Sequence, residues 1–252
     1  MKLILLPLIL AWFAPAAPAA WFLPKPDPAA WNALLEEFVT PQHRVAYARF
    51  KRTGSGRLNA YVSYLAKPGS VTLSPNQKKA LLINAYNALT IEWILRNYPT
   101  PSIRATPNPF TAKRFTLGGE RVSLDQIEAR LRAMGDPRVH AAMVCAGRSC
   151  PPLRREAYVA DRLSSQLDDN VREWLADKRL NEFLPKQGKA ELSSIFKWYR
   201  GDFASYPGGL QAFLRKYAPP EVVRQLGGRK LAITFLSYNW GLNDTSDPGT
   251  HH

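Results

Sequence analysis

The stretch VHAAMVCAGRSCPPLRREAY, residues 139–158, holds both cysteines of the chain, Cys145 and Cys150, and places His140 five residues before the first of them. Four chemistries fit these residue types: a thiol nucleophile with an imidazole base, a disulfide, a metal site, and a core segment that happens to contain sulfur. The thiolate is the reactive form of cysteine and needs a positive or hydrogen-bonding neighbour. His140, Arg148 and Arg154 are the local candidates. A Cys145–Cys150 disulfide requires the chain to turn between the two residues, and AGRS (146–149) can supply that turn. The spacing His-x4-Cys-x4-Cys matches none of the common zinc intervals, so neither a metal nor another cofactor is expected.

Geometry constrains the dyad. Residues five apart diverge by about 140° on a helix and fall on opposite faces of a strand. His140 and Cys145 therefore meet only if the segment breaks or bends before Cys145. Asp136 as cap, Pro137 at the first position and Gly147 at the end predict a short helix over this segment. Gly147, Pro151 and Pro152 supply breakers nearby.

A base also needs an acceptor behind it to hold its ring. In SLDQIEARLRAM (123–134), Ser123 and Gln126 form a capping box, and Leu124, Ile127, Leu131 and Met134 form the apolar stripe. Glu128 falls on that stripe, whereas Asp125, Gln126, Arg130 and Arg132 take the other side. A carboxylate turned inward needs a partner: an arginine, backbone N–H groups or an imidazole. Asn84 and Asn87 share a face of SPNQKKALLINAYNALTIEWILRNYPTP, which is capped by Ser74, stopped by Pro99 and Pro101, and apolar almost all round. They either bind a neighbouring loop's backbone or line a site as donors.

The elements that must position these groups are mostly helical. PAAWNALLEEFV, VAYARFKR and RLNAYVSYLA have helical apolar spacing, with TGSG (53–56) as a turn between the second and third. RFTLGGERVSL reads as a hairpin on Gly118–Gly119. Helical patterns follow in ADRLSSQLDDNVREWLADKRL, LSSIFKWYRGDF and GGLQAFLRKYA, and RKLAITFLSYNWGLND reads as a strand running into a turn. The hairpin and the late strand are the expected partners in one small antiparallel sheet. The fold class is α+β, predominantly helical.

The first residues carry Lys2, an apolar run from Leu3 to Ala14, and the small-x-small sites Ala14-Pro15-Ala16 and Ala17-Pro18-Ala19. This is the layout of a signal peptide over 1–19, followed by a single domain over 20–252, exported to the periplasm or beyond the cell. No later stretch resembles a spanning helix. Thirty-four Lys and Arg against 20 Asp and Glu give a net charge of +14, which favours an anionic envelope component as partner. The basic residues are scattered, with no nucleic-acid module.

LLINAYNALTI, VSLDQIEARL, DPRVHAAMVCAGRSCPPLRREAY, SSIFKWYRGDF and YNWGLN, in that order over about residues 45 to 243, resemble the motifs of the domain-of-unknown-function 547 family. The resemblance implies a papain- or transglutaminase-like arrangement with the thiol at Cys145, the imidazole at His140 and the carboxylate at Glu128. Ala129 and Ala141 stand where members often carry a histidine and an aromatic residue, which leaves room in the pocket. The expected function is an exported cysteine hydrolase or acyltransferase acting on a peptide or other acyl substrate. Cys145 attacks, His140 carries the proton, Glu128 orients His140, Asn84 or Asn87 polarises the oxyanion, and these asparagines line the site with Arg148 and Cys150. The alternative is a non-catalytic envelope protein with a Cys145–Cys150 disulfide and a structural His140/Glu128 network.

Overall fold

The computed structural model describes residues 22–246; the expected signal peptide lies outside them. Among the described residues no helix is long and apolar enough to cross a membrane. Helices α1 (Pro28–Phe38), α2 (Tyr47–Thr53) and α3 (Ser55–Ala66) follow the predicted pattern. The turn expected over TGSG shrinks to Gly54, which has no room for a side chain: a Cβ there would stand 2.6 Å from the rings of Phe38 and Phe50.

Helix α4 (Pro75–Asn97) runs through the middle, buried almost continuously from Ala80 to Leu95. Ser74 caps it reciprocally with Gln77, so two of its first-turn polar groups are satisfied without water. Helices α1, α2, α3 and α5 (Leu124–Arg132) pack on it. Together with the cysteine segment they form one apolar cluster that includes Trp31, Phe38 and Phe50. A second cluster, built on Trp174, Phe196, Phe203, Phe213 and Tyr217, lies among α6 (Leu163–Ala176), α7 (Ser194–Trp198), α8 (Arg200–Ala204) and α9 (Gly209–Tyr217). Helix α10 (Pro220–Leu226) closes that side with Val222 and Leu226.

The strands depart from the single sheet expected. β1 (Phe115–Leu117) and β2 (Glu120–Val122) form a hairpin with Phe115 opposite Val122. Gly118 and Gly119 take φ of 59° and 85°, the left-handed pair that a two-residue primed turn requires. This hairpin is a sheet of its own. The late strand β5 (Ala232–Phe235) instead pairs parallel with β4 (Lys189–Leu192), which pairs antiparallel with β3 (Glu182–Leu184). β3 and β4 are three and four residues long, too short for alternation to reveal them. The class remains α+β.

Candidate functional site

The segment after α5 sits at the seam of the two clusters. Asp136 caps a 3-10 turn, Pro137–Ala141, with Val139 in the first cluster and Ala141 in the second. The turn ends at Ala141 and not at Gly147, so Met143 to Cys150 is irregular chain. That break removes the helical and strand geometry that would have kept His140 and Cys145 apart. Both line one cavity of about 210 Å³, together with Glu128, Asp125, Tyr86, Phe110, Met143, Ile195, Trp198, Tyr199, Tyr238 and Trp240.

Asn84 and Asn87 shape this loop from α4 without entering the cavity. Asn87 donates to the Ala142 carbonyl at 2.9 Å and accepts from the Val144 amide at 2.9 Å. Asn84 does the same to both backbone groups of Tyr158, at 2.8 and 2.9 Å. Their amides are occupied by backbone, so they position loops, and the donor role expected of them is not what the geometry supports.

The two thiols meet across a tight turn. Ala146, between them in sequence, has φ 64°, a left-handed conformation costing a non-glycine residue about 1–3 kcal/mol. It is held by the Asn243 amide, which donates to its carbonyl at 2.9 Å. Cys145 Sγ lies 2.7 Å from Cys150 Sγ and 3.2 Å from the Tyr238 hydroxyl, and both cysteines are free thiols. Cys150 Sγ accepts from the Cys145 and Gly147 amides and from the Tyr238 hydroxyl, at 3.1, 3.2 and 3.1 Å. The shared hydrogen bond holds Cys145 below the ordinary thiol range, while burial pushes Cys150 well above it. The two sulfurs share a hydrogen bond, so their titration belongs to the pair. Burial also raises the Tyr238 phenol, which stays protonated and can donate.

His140 is buried, its ring stacked 4.1 Å from that of Tyr199. The carboxylate that holds it is Asp202 from α8, 2.8 Å from Nε2, and not Glu128. Arg132 grips the same carboxylate, Nε to Oδ2 at 2.6 Å and Nη2 to Oδ1 at 3.1 Å. Those guanidinium bonds, with the His140 contact, hold Asp202 below the usual carboxylate range. An ionised Asp202 accepts, so Nε2 carries the ring hydrogen and Nδ1 is the basic nitrogen. Burial outweighs the aspartate and brings the imidazole down to about 4; it is neutral near pH 7. Glu128 shares the cavity, but its partner is the Tyr199 hydroxyl; burial raises its carboxyl. Asp125, read as facing away, lines the cavity one turn earlier.

Cys150 and Arg148 open on the other side, onto a smaller cleft shared with His43, Arg44 and Arg179. The Arg148 amide donates to Gly241 and the Ser149 amide to Asn239, at 2.8 and 3.1 Å. The segment 238–243 thereby clamps the cysteine loop and delivers Tyr238 and Trp240. Among the described residues no group of three or more His, Cys, Asp or Glu could hold a metal ion.

A mainly helical α+β fold turns the Cys145 thiol and a carboxylate-held imidazole toward one aromatic cavity. Residues 71–175 match the model of a family described as protein of unknown function, DUF547, to which this part of the chain is similar. No curated protein and no solved structure matches. The matched segment carries Asn84, Asn87, Glu128, His140 and both cysteines. Asp202, Trp198, Tyr199, Tyr238 and Trp240 come from beyond it, and sequence reasoning assigned none of them a role. Their signal was present in SSIFKWYRGDF, where aromatic residues crowd around one aspartate, and in YNWGLN, which carries two more aromatic residues.

Proposed function

We propose that the chain is a cysteine-dependent hydrolase or acyltransferase whose nucleophile is Cys145. The observation that carries this reading is the opening of the Cys145 thiol, held low by Cys150 and Tyr238, into the cavity that His140 also lines. Asp202 takes the orienting place that sequence reasoning gave to Glu128.

The thiolate is formed by its sulfur and phenol neighbours, because an imidazole neutral near pH 7 offers no positive charge to it. Cys145 Sγ bonds to the substrate carbonyl carbon, the bond to the leaving nitrogen or oxygen breaks, and the leaving group takes a proton that His140 Nδ1 relays from solvent. Water, or an acceptor amine or alcohol, then attacks the thioester while Nδ1 receives its proton. The thiolate is re-formed and the borrowed proton returns to solvent, so hydrolysis consumes one acyl compound and one water. Export, as the first residues suggest, places the substrate in the cell envelope or outside it.

The test is acyl trapping. Reduced full-length protein treated with 4-nitrophenyl acetate is expected to release nitrophenolate in a burst and to carry an acetyl group on Cys145, located by mass spectrometry. His140→Ala should still form the adduct and lose it at least tenfold more slowly. An unmodified Cys145 in the folded wild type, or an adduct that decays equally fast in both proteins, sinks the reading.

A further inference from the structure

The cavity beside Cys145 has a composition unlike the rest of the molecule. The chain carries 34 Lys and Arg, yet none of those among the described residues lines this cavity. Its charged lining residues are both acids, Asp125 and Glu128, three apart and so neighbours on one face of α5. Six aromatic rings make most of the remaining wall: Tyr86, Phe110, Trp198, Tyr199, Tyr238 and Trp240. Trp198, Tyr238 and Trp240 touch one another, with ring centres 4.8, 4.6 and 5.8 Å apart. Trp198 keeps 47% of its surface exposed, an indole left uncovered at the mouth.

Ring faces carry negative electrostatic potential and attract cations, most strongly when water is excluded. This wall already does so: the Arg104 guanidinium, which does not line the cavity, sits 5.1 Å from the centre of the Trp240 ring. An anion would meet two carboxylates and a thiolate. A neutral alkyl group would fit the rings but bring no charge to Asp125, whereas Glu128 already has the Tyr199 hydroxyl. About 210 Å³ is the space of roughly seven waters at about 30 Å³ each, enough for a short alkyl chain ending in an amine. A guanidinium or sugar ring would leave less of the aromatic wall covered by methylene groups.

We infer that this cavity is a subsite for a short alkylammonium group, so that the compound acted on at Cys145 presents a protonated primary amine to Asp125, Glu128 and the Trp198–Tyr238–Trp240 wall. The inference rests on the proposed function for its link to catalysis, and on the cavity alone for binding.

Binding to reduced full-length protein is measured by tryptophan fluorescence and calorimetry with n-pentylammonium, 1-pentanol and pentanoate, three probes of one shape and different charge. The ammonium is expected to bind at least about tenfold more tightly than either other probe. Asp125→Asn and Glu128→Gln should each weaken it severalfold and leave pentanol binding unchanged, and Trp198→Ala should weaken the ammonium severalfold more than pentanol; the exposed Trp198 and the rim residue Asp125 keep the test open if Glu128→Gln folds poorly. Pentanol or pentanoate binding as well as the ammonium, or all three variants binding the ammonium as wild type does, overturns the subsite. Protection of Cys145 from iodoacetamide separates the two ideas. Tight ammonium binding with no acetyl adduct on Cys145 leaves the subsite and removes the nucleophile, whereas an adduct without ammonium preference does the reverse.

Discussion

Lowering the pH should destabilise this protein through His140, against an opposite contribution from carboxyls that burial raises, Glu128 among them. The ring is buried against Tyr199 and Phe203, and its value falls from 6.5 to about 4 on folding. Above 6.5 the ring is neutral in both states and nothing is lost. Between 6.5 and about 4 the unfolded chain binds a proton that the folded ring refuses, so stability falls as pH falls, and the loss is complete below the folded value. At about 1.4 kcal/mol per pH unit the drop is worth about 3 kcal/mol, a large part of the stability of a typical domain. Other groups act with different signs. His43, raised by its bond to Glu173, and Glu128, raised by burial, contribute stability that is lost as pH rises. Asp202 and Asp136, held down by arginine, lose theirs only below their ordinary values. Urea unfolding of wild type and His140→Gln at pH 7 and about pH 4.5 isolates the imidazole. Wild type should lose about 2–3 kcal/mol more than the variant between the two conditions. Equal losses would show that the ring takes its proton in the folded state, refuting the neutral, aspartate-held base.

Cys150→Ala and Tyr238→Phe remove hydrogen bonds to the Cys145 sulfur and should each shift the pH profile of its carbamidomethylation upward, Cys150→Ala the more; unchanged profiles would mean that the thiolate is stabilised elsewhere. Asn87→Ala orphans the Ala142 carbonyl and the Val144 amide in a buried loop and should cost about 2–4 kcal/mol in urea unfolding, whereas loss of an oxyanion donor alone would spare stability. Gly54→Ala presses a methyl group into the rings of Phe38 and Phe50 and should lower stability by about 1–3 kcal/mol, read from the thermal midpoint.

The helices were legible because their signals are local. Ser74, Ser123 with Gln126, and Asp136 before Pro137 mark starts that the structure reproduces. The Gly118–Gly119 hairpin is local as well. What failed was non-local. The pairing of β5 with β4 depends on strands 40 residues apart, and nothing in the pattern of either names the other. The inward acid on α5 was visible as a burial anomaly, but its partner was not. Tyr199 and Asp202 reach the site from a different helix pair, so pairing Glu128 with His140 followed chain proximity where tertiary packing chose otherwise. The break after Ala141 was foreshadowed by Gly147, Pro151 and Pro152, although it falls several residues before them.

The clamp formed by residues 238–243 has a consequence for biogenesis. The cysteine loop takes backbone partners, and the phenol beside its sulfurs, from chain synthesised about ninety residues later. A ribosome-bound precursor that ends short of that stretch lacks the groups that hold this loop, and removing residues 238–243 should unseat it while leaving both sulfurs in the chain.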